Sequence, residues 1–218
     1  MKKYKYLLWD LDGTIIESGA GVVNSVTYAL EHMGTPIPDI EVLQKFIGPP
    51  LLESFSKYFS YSRAEAEKAQ NYFREYYQAK GIDECRIYKH IDELLERLVK
   101  AGYLNILATA KPEPHARNLL AKYGIDQYFH YIAGATFDET RARKEQVIAY
   151  ALETCGISDK SQAVMIGDRS HDCIGARLNG LDCIGVLYGY GDRLELVDAG
   201  VVALAKNLTE LGEMLLGE

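Results

Sequence analysis

Two aspartates separated by one residue, Asp10 and Asp12, directly follow an apolar run near the start of the chain. The run, Tyr6 to Trp9, does not alternate with polar residues, which is typical of a strand buried on both faces of a sheet. Gly13 permits a tight turn, so both carboxylates can face one place at the carboxyl end of that strand. Such a pair favours a divalent cation, a shared proton or both. A simple Asx-type turn at a strand end explains the same residues without any chemistry.

Polar side chains also follow two later apolar runs, residues 104–108 and 163–166. The first run is followed by a hydroxyl and an ammonium group and the second by two carboxylates: Thr109, Lys111, Asp168 and Asp172. The carboxyl ends of parallel strands meet at one edge of a sheet, where open α/β sheets bind their ligands. We therefore expect these groups to lie near the first two aspartates.

Three basic residues lie at the start of a helix predicted from residue 144: Arg141, Arg143 and Lys144. Cations at a helix start are unfavourable for the helix dipole by roughly a few tenths of a kcal/mol or more. The basic residues suggest a bound anion as compensation for this cost, although a solvated basic patch is the blander account.

The order of predicted elements indicates an α/β protein with an inserted cap. Residues 16–84 are predicted to be helical without a strand, with helices at 18–33, 40–46, 51–59 and 62–80. Beyond residue 85, strands and helices alternate, which indicates a parallel sheet with helices on both faces. The strands are predicted at 104–108, 131–133, 163–166, 183–186 and 201–203, and the helices at 91–101, 112–123, 144–155, 174–178, 194–199 and 208–216. We therefore predict a Rossmann-like core of residues 1–15 and 85–218, with an all-helical cap of residues 16–84 covering the ligand edge.

Composition limits the classes of partner. The chain has 218 residues, 48% of them apolar, and a net charge of −7, which argues against nucleic acid or an anionic membrane as the main partner. The four cysteines form no CxxC pair, so a zinc site is not expected. Scattered thiols of this kind fit a reducing compartment. No apolar window approaches the roughly 18 residues of a membrane span. We expect a soluble cytoplasmic protein, either a monomer or a homodimer.

Taken together, these residues resemble the haloacid dehalogenase superfamily on its phosphatase side. The resemblance spans essentially the whole chain and rests on residues 10–14, Thr109, Lys144 and residues 167–172. Within the superfamily the chain is similar to the phosphoglycolate-phosphatase-like branch that includes bacterial 5′-nucleotidase-like proteins, through residues 47–51, 110–112 and 185–191. Trp9 is a departure, because a phenylalanine is usual there.

The resemblance implies a Mg²⁺-dependent phosphatase. Asp10 would be the nucleophile that forms an aspartyl phosphate, and Asp12 would be the general acid and then the general base. Dehalogenating relatives lack a carboxylate at the position of Asp12, so its presence favours phosphoryl chemistry. Thr109 and Lys144 would hold the phosphoryl oxygens.

The same resemblance implies a set of Mg²⁺ ligands. Asp10 and Asp168 would supply carboxylate oxygens, Asp12 its backbone carbonyl, and Asp172 an outer ligand or an anchor behind the first ligands. For Asp172, a carboxylate that merely stabilises a helix start is the alternative.

The expected substrate is a small phosphorylated metabolite, with phosphoglycolate or a nucleoside 5′-monophosphate as the favoured class. The residues expected to contact it are Gly13, Ile47, Gly48, Pro49, Lys111 and Arg141, of which three belong to the predicted cap. A sugar-phosphate mutase or a phosphonatase is the alternative enzyme, and the latter would use a cap lysine such as Lys45 or Lys57. A phosphate-binding regulator on the same scaffold is the alternative without catalysis.

Two other motifs are excluded by their spacing. Ser170, His171 and Asp172 are adjacent, whereas the members of a catalytic triad come from separated segments. The glycines near residue 20 form neither a Walker A motif nor a dinucleotide fingerprint.

Overall fold

The computed structural model describes residues 4–138 and 140–217, and the chain forms two compact units. One unit contains the chain up to Ile16 and from Ile87 onward, and the other is Glu17–Arg86. In chain order the elements are β1 (Tyr6–Trp9), β2 (Ile16–Glu17), α1 (Gly19–Met33), α2 (Ile40–Gln44), α3 (Leu51–Phe59), α4 (Arg63–Ala79), β3 (Arg86–Ile87), α5 (Ile91–Lys100), β4 (Leu104–Pro112), α6 (Glu113–Lys122), β5 (Phe129–Ala135), α7 (Lys144–Thr154), β6 (Ala163–Gly167), α8 (Ser170–Leu178), β7 (Asp182–Val186), α9 (Arg193–Ala199), β8 (Ala203–Ala205) and α10 (Leu208–Leu216).

The first unit is built on a six-stranded sheet in the order β5-β4-β1-β6-β7-β8, with every pair parallel. β1 lies in the middle, and Leu7, Leu8 and Trp9 are fully buried. This confirms the predicted α/β class with a parallel, Rossmann-like sheet. None of the described helices is long and apolar enough to cross a bilayer.

The unusual tryptophan of β1 has a specific partner. The indole Nε1 of Trp9 donates a hydrogen bond to Oδ1 of Asn105 on the neighbouring strand, at 3.0 Å in the buried interior. A buried indole N–H is costly when it has no acceptor. Asn105 therefore makes a tryptophan acceptable at this position.

Several element boundaries differ from the predictions. β4 continues to Pro112 instead of ending at residue 108, because Pro112 still pairs with Ala135 after a register shift. α8 begins at Ser170 rather than at residue 174, since the Asp172 side chain accepts a hydrogen bond from the Arg169 N–H at the helix start. β8 begins at Ala203 rather than at residue 201, because its pairing with β7 starts there.

The second unit is mainly helical, with α1 packed against α4 and α4 against α3. α4 starts with a capping box, in which Ser62 and Glu65 satisfy each other's backbone N–H groups. The prediction that no strand occurs between residues 15 and 85 is wrong, because β2 lies at Ile16–Glu17. Two-residue strands β2 and β3 pair with each other in a small separate sheet, and runs this short carry no readable periodicity. The role of this unit as a cap stays a prediction.

Candidate active site

Asp10 lies at the carboxyl end of the central strand. Its N–H donates to the Ile166 carbonyl at 2.9 Å, which continues the ladder between β1 and β6. The side chain is almost wholly buried, and one of its oxygens, Oδ1, is 2.6 Å from Nζ of Lys144. Burial raises the pKa of Asp10 to about 6, although the Lys144 ammonium opposes that shift. This lysine is therefore what favours the ionised form of Asp10.

Lys144, the first residue of α7, joins three groups. Its Nζ lies 2.6 Å from Oδ1 of Asp10 and 2.9 Å from Oδ1 of Asp172, and it donates to the Ala108 carbonyl at 3.1 Å. Burial works against the charged form, but the attraction of Asp10 and Asp172 outweighs it and raises the lysine pKa. The predicted basic helix start is thus compensated by protein carboxylates.

Asp172 lies in the first turn of α8, fully buried. Burial raises its pKa, but the Lys144 charge outweighs this and the pKa is lowered. Oδ2 of Asp172 accepts a hydrogen bond from the N–H of Arg169 at 3.1 Å. These contacts make Asp172 a charge partner of Lys144 and a helix cap, and its predicted role as an outer metal ligand stays a prediction.

The two carboxylate oxygens of Asp12 have different surroundings. Oδ2 is 3.1 Å from Nζ of Lys111, and both side chains are at least 90% buried. Oδ1 is buried without a hydrogen-bond partner among the described residues. Gly13 adopts a φ of +84°, which makes the tight turn predicted after Asp12. One oxygen is held by an ion pair, and the other is left for a ligand.

Asp168 is held from two sides. Its Oδ1 accepts from Oγ1 of Thr14 at 3.2 Å, and its Oδ2 accepts from the N–H of Tyr190 at 2.7 Å. Burial, followed by the negative charges of Asp172 and Asp10, raises its pKa well above the usual range. Carboxylates crowded in this way have more negative charge than the protein itself neutralises, and oxygen ligands of this type fit Mg²⁺.

The loop after β7, residues 187–191, wraps closely around Asp168, and sequence reasoning missed this. A side chain at Gly189 would collide with the Asp168 side chain, and one at Gly191 would collide with the Asp168 backbone carbonyl. The hydroxyl of Tyr188 donates to the Thr14 carbonyl at 3.1 Å. The glycines of this segment, visible in the sequence only as part of a family resemblance, make room for a carboxylate.

The close approach predicts a large effect of Gly189→Ala. The new methyl group would lie 2.5 Å from the Gly13 carbonyl oxygen, a backbone atom that cannot easily move. We expect a loss of about 3 kcal/mol in the free energy of unfolding, measured by urea denaturation.

Gly212→Ala is the matched control, because its methyl group would meet only the ends of two flexible side chains, Leu94 at 3.2 Å and Arg97 at 3.9 Å. The control should be neutral or slightly stabilising, since alanine favours a helix interior by roughly 0.5–1 kcal/mol over glycine. Equal stability of the two variants would contradict the close packing around Asp168.

Thr109 and Arg141 have clear positions. Thr109 is buried in β4, and its hydroxyl accepts from the N–H of Lys111 at 3.2 Å. Arg141 donates to the Gly134 carbonyl at 2.8 Å and to Glu113 at 3.2 Å, and its guanidinium lies 3.6 Å from the centre of a tyrosine ring. Protein contacts therefore engage the Arg141 side chain, and its predicted contact with substrate stays a prediction.

The three predicted cap residues lie between α2 and α3 in the second unit. Ile47 has a buried side chain, Gly48 adopts a φ of +103°, and Pro49 is partly exposed. Their contact with substrate stays a prediction.

His171 was not predicted as a ligand. Asp10, His171 and Asp172 each offer an atom within 4.8 Å of the others. Burial is the main reason that the pKa of His171 is lowered to about 4, so its ring is neutral near pH 7. However, the Lys144 ammonium already contacts both carboxylates, and a second cation between them would meet strong repulsion. The oxygen donors of Asp168 and the Asp10–Asp12 turn suit Mg²⁺ better.

The model of the haloacid dehalogenase-like hydrolase family matches residues 7–186. The chain belongs to the haloacid dehalogenase-like hydrolases. A 5′-nucleotidase of Pseudomonas aeruginosa is 41% identical over 194 residues, which cover 89% of this chain and 87% of that protein. The tyrosine-protein kinase PtkA of Mycobacterium tuberculosis is 38% identical over 212 residues, covering 96% and 72%. A phosphoglycolate phosphatase of Vibrio parahaemolyticus is 25% identical over 219 residues, covering 97% and 96%.

A solved structure agrees with these relatives. The crystal structure of a predicted phosphatase from Clostridium acetobutylicum superposes with a TM-score of 0.95 at 38% identity, covering 99% of this chain and all of that one. The predicted superfamily is therefore confirmed for this haloacid dehalogenase-like hydrolase, and so is its resemblance to 5′-nucleotidases and phosphoglycolate phosphatases.

Proposed function

We propose that this hydrolase is a Mg²⁺-dependent phosphatase of a small phosphomonoester, with nucleoside 5′-monophosphates as the first substrate class. The main support is the buried lysine shared by Asp10 and Asp172, together with a buried oxygen of Asp12 that has no hydrogen-bond partner among residues 4–138 and 140–217. The 41% identity to a 5′-nucleotidase favours nucleotides, and the 25% identity to a phosphoglycolate phosphatase makes phosphoglycolate the second class.

The reaction proceeds in two phosphoryl transfers. An oxygen of Asp10 attacks phosphorus, the bond to the departing alcohol breaks, and Asp12 gives that alcohol its proton. Asp12 then takes a proton from water, whose oxygen attacks the aspartyl phosphate, so that inorganic phosphate leaves and Asp10 is regenerated. The unpaired Oδ1 of Asp12 is the atom that exchanges the proton.

The negative charge of the reacting phosphoryl group is stabilised by side chains of the site and by a metal ion. Lys144 and Thr109 bind the phosphoryl oxygens as negative charge spreads over them. Mg²⁺ would be held by carboxylate oxygens of Asp10 and Asp168 and by the Asp12 carbonyl; when bound, it cancels the repulsion between phosphate and carboxylates. The crowding that raises the pKa of Asp168 supports a cation there.

We further propose that the enzyme works in the cytoplasm. All four cysteines are free thiols, two of them buried, which suits a reducing compartment.

The test is a phosphate-release screen over nucleoside 5′-monophosphates, phosphoglycolate and sugar phosphates, comparing kcat/KM values. We expect a nucleoside 5′-monophosphate to give the highest value, with turnover lost in EDTA and restored by Mg²⁺. Full activity in EDTA would contradict the metal. A parallel arm supplies ATP with a tyrosine peptide, because one relative carries a kinase name. Phosphotyrosine formation without monoester hydrolysis would overturn the proposal.

A further inference from the structure

We propose that Lys111 is a positioning residue for the reaction, one that holds Asp12 in the orientation needed for proton transfer. The inference rests on the proposed function and assigns Lys111 a different task from contact with the substrate. The observation behind it is the ion pair between Nζ of Lys111 and Oδ2 of Asp12, 3.1 Å long.

The pair is buried, so it is well suited to fix an orientation. The Lys111 side chain is 6% exposed and that of Asp12 is 10% exposed. An exposed lysine of this type would exchange between many rotamers and would hold its partner weakly. A buried ammonium that contacts a carboxylate is strongly constrained, because neither charge can return to water without breaking the contact.

The backbone of Lys111 is also fixed. Its N–H donates to Oγ1 of Thr109 at 3.2 Å, and β4 continues past it to Pro112. Any side chain at Gly134, on the adjacent strand β5, would come within 2.7 Å of the Lys111 carbonyl oxygen. The lysine is therefore attached to the packed sheet and not to a loose loop.

The two carboxylate oxygens of Asp12 differ in their contacts and in their proposed roles. Lys111 contacts Oδ2, whereas Oδ1 is buried with no hydrogen-bond partner in the described part of the chain. A buried oxygen without a partner is costly unless a ligand completes it. By holding Oδ2, Lys111 prevents rotation of the Asp12 carboxylate about its Cβ–Cγ bond. The other oxygen, Oδ1, then faces the leaving group. In this way it acts on catalysis through Asp12.

The experiment uses leaving groups of different basicity. An alkyl phosphate needs a proton on its departing oxygen, whereas p-nitrophenyl phosphate hardly needs one. The ratio kcat/KM reports the first phosphoryl transfer. For Lys111→Gln we expect a fall of about 100-fold with an alkyl phosphate and of less than about threefold with p-nitrophenyl phosphate. Lys111→Arg should recover most of the loss, since it keeps the charge.

Controls separate positioning from folding and from substrate binding. Lys100→Gln, at an exposed lysine paired with Glu96, should change neither value. In an Asp12→Asn background, adding Lys111→Gln should have little further effect, because the proton transfer is already lost. This double variant keeps the test valid even if the single change lowers stability.

Each remaining outcome has a definite meaning. Equal losses with both substrates, carried by KM, would overturn positioning and make Lys111 a substrate-binding residue. A wild-type enzyme with no turnover of either phosphate would overturn the proposed function itself. Wild-type turnover combined with unchanged kcat/KM in Lys111→Gln would overturn only the role of Lys111.

Discussion

Asp10→Asn is expected to lower kcat by at least about 10⁴-fold, which is the size of loss seen when the nucleophilic residue of an enzyme is substituted. The amide has nearly the same shape as the carboxylate, so the packing around it should persist. What disappears is the negative charge of the Asp10 carboxylate, which lies 2.6 Å from Lys144 and is the proposed nucleophile. The measurement is steady-state turnover of p-nitrophenyl phosphate, together with acid trapping of the ³²P-labelled phosphoenzyme from a labelled substrate.

The control is Asp198→Asn, the same change at an exposed aspartate of α9. It should leave both turnover and the trapped phosphoenzyme unchanged. If Asp10→Asn kept full turnover, or if label were still trapped on it, the nucleophile would be another residue. Circular dichroism of both variants checks that the fold is retained.

Lys144→Met is expected to destabilise the protein by about 3–5 kcal/mol, because breaking a buried ion pair leaves uncompensated charge in the interior. The Lys144 side chain is 1% exposed, and its loss would leave two buried carboxylates, Asp10 and Asp172, facing each other. Activity should fall with stability, since the ionised form of Asp10 depends on that ammonium. Urea denaturation measures the first effect and turnover the second.

Lys100→Met is the matched control. Its ammonium pairs with Glu96 at 2.8 Å, but the two side chains are 68% and 46% exposed. Exposed pairs of this type contribute about 0–1 kcal/mol. If the two variants were equally stable, Lys144 would not be the charge centre that the geometry indicates.

Much of the site could be predicted from the sequence for a physical reason. In a parallel sheet the carboxyl ends of the strands share one edge, so Asp10, Thr109 and Asp168 could be placed together from three strand ends. Lys144 was visible as an unfavourable cation at a helix start. The family resemblance added the assignment of roles.

The rest depends on contacts that no periodicity encodes. The pairing of Lys111 with Asp12 requires β4 to extend beyond its apolar run, and the run alone predicted an end at residue 108. The closeness of Gly189 to Asp168 depends on how a loop wraps in space, with 20 residues of chain between them. Contacts of this kind can be identified only from the three-dimensional structure.

The place of β1 in the sheet has a consequence for the order of assembly. β1 precedes the other strands of this sheet in the chain and lies between β4 and β6, so its neighbours are made only when the ribosome reaches residues 104–112 and 163–167. Until then its apolar side chains have no sheet to join, and such long-range pairing is intrinsically slow. The central position of β1 therefore requires that the strands on both of its sides be made before the sheet around Asp10 can form.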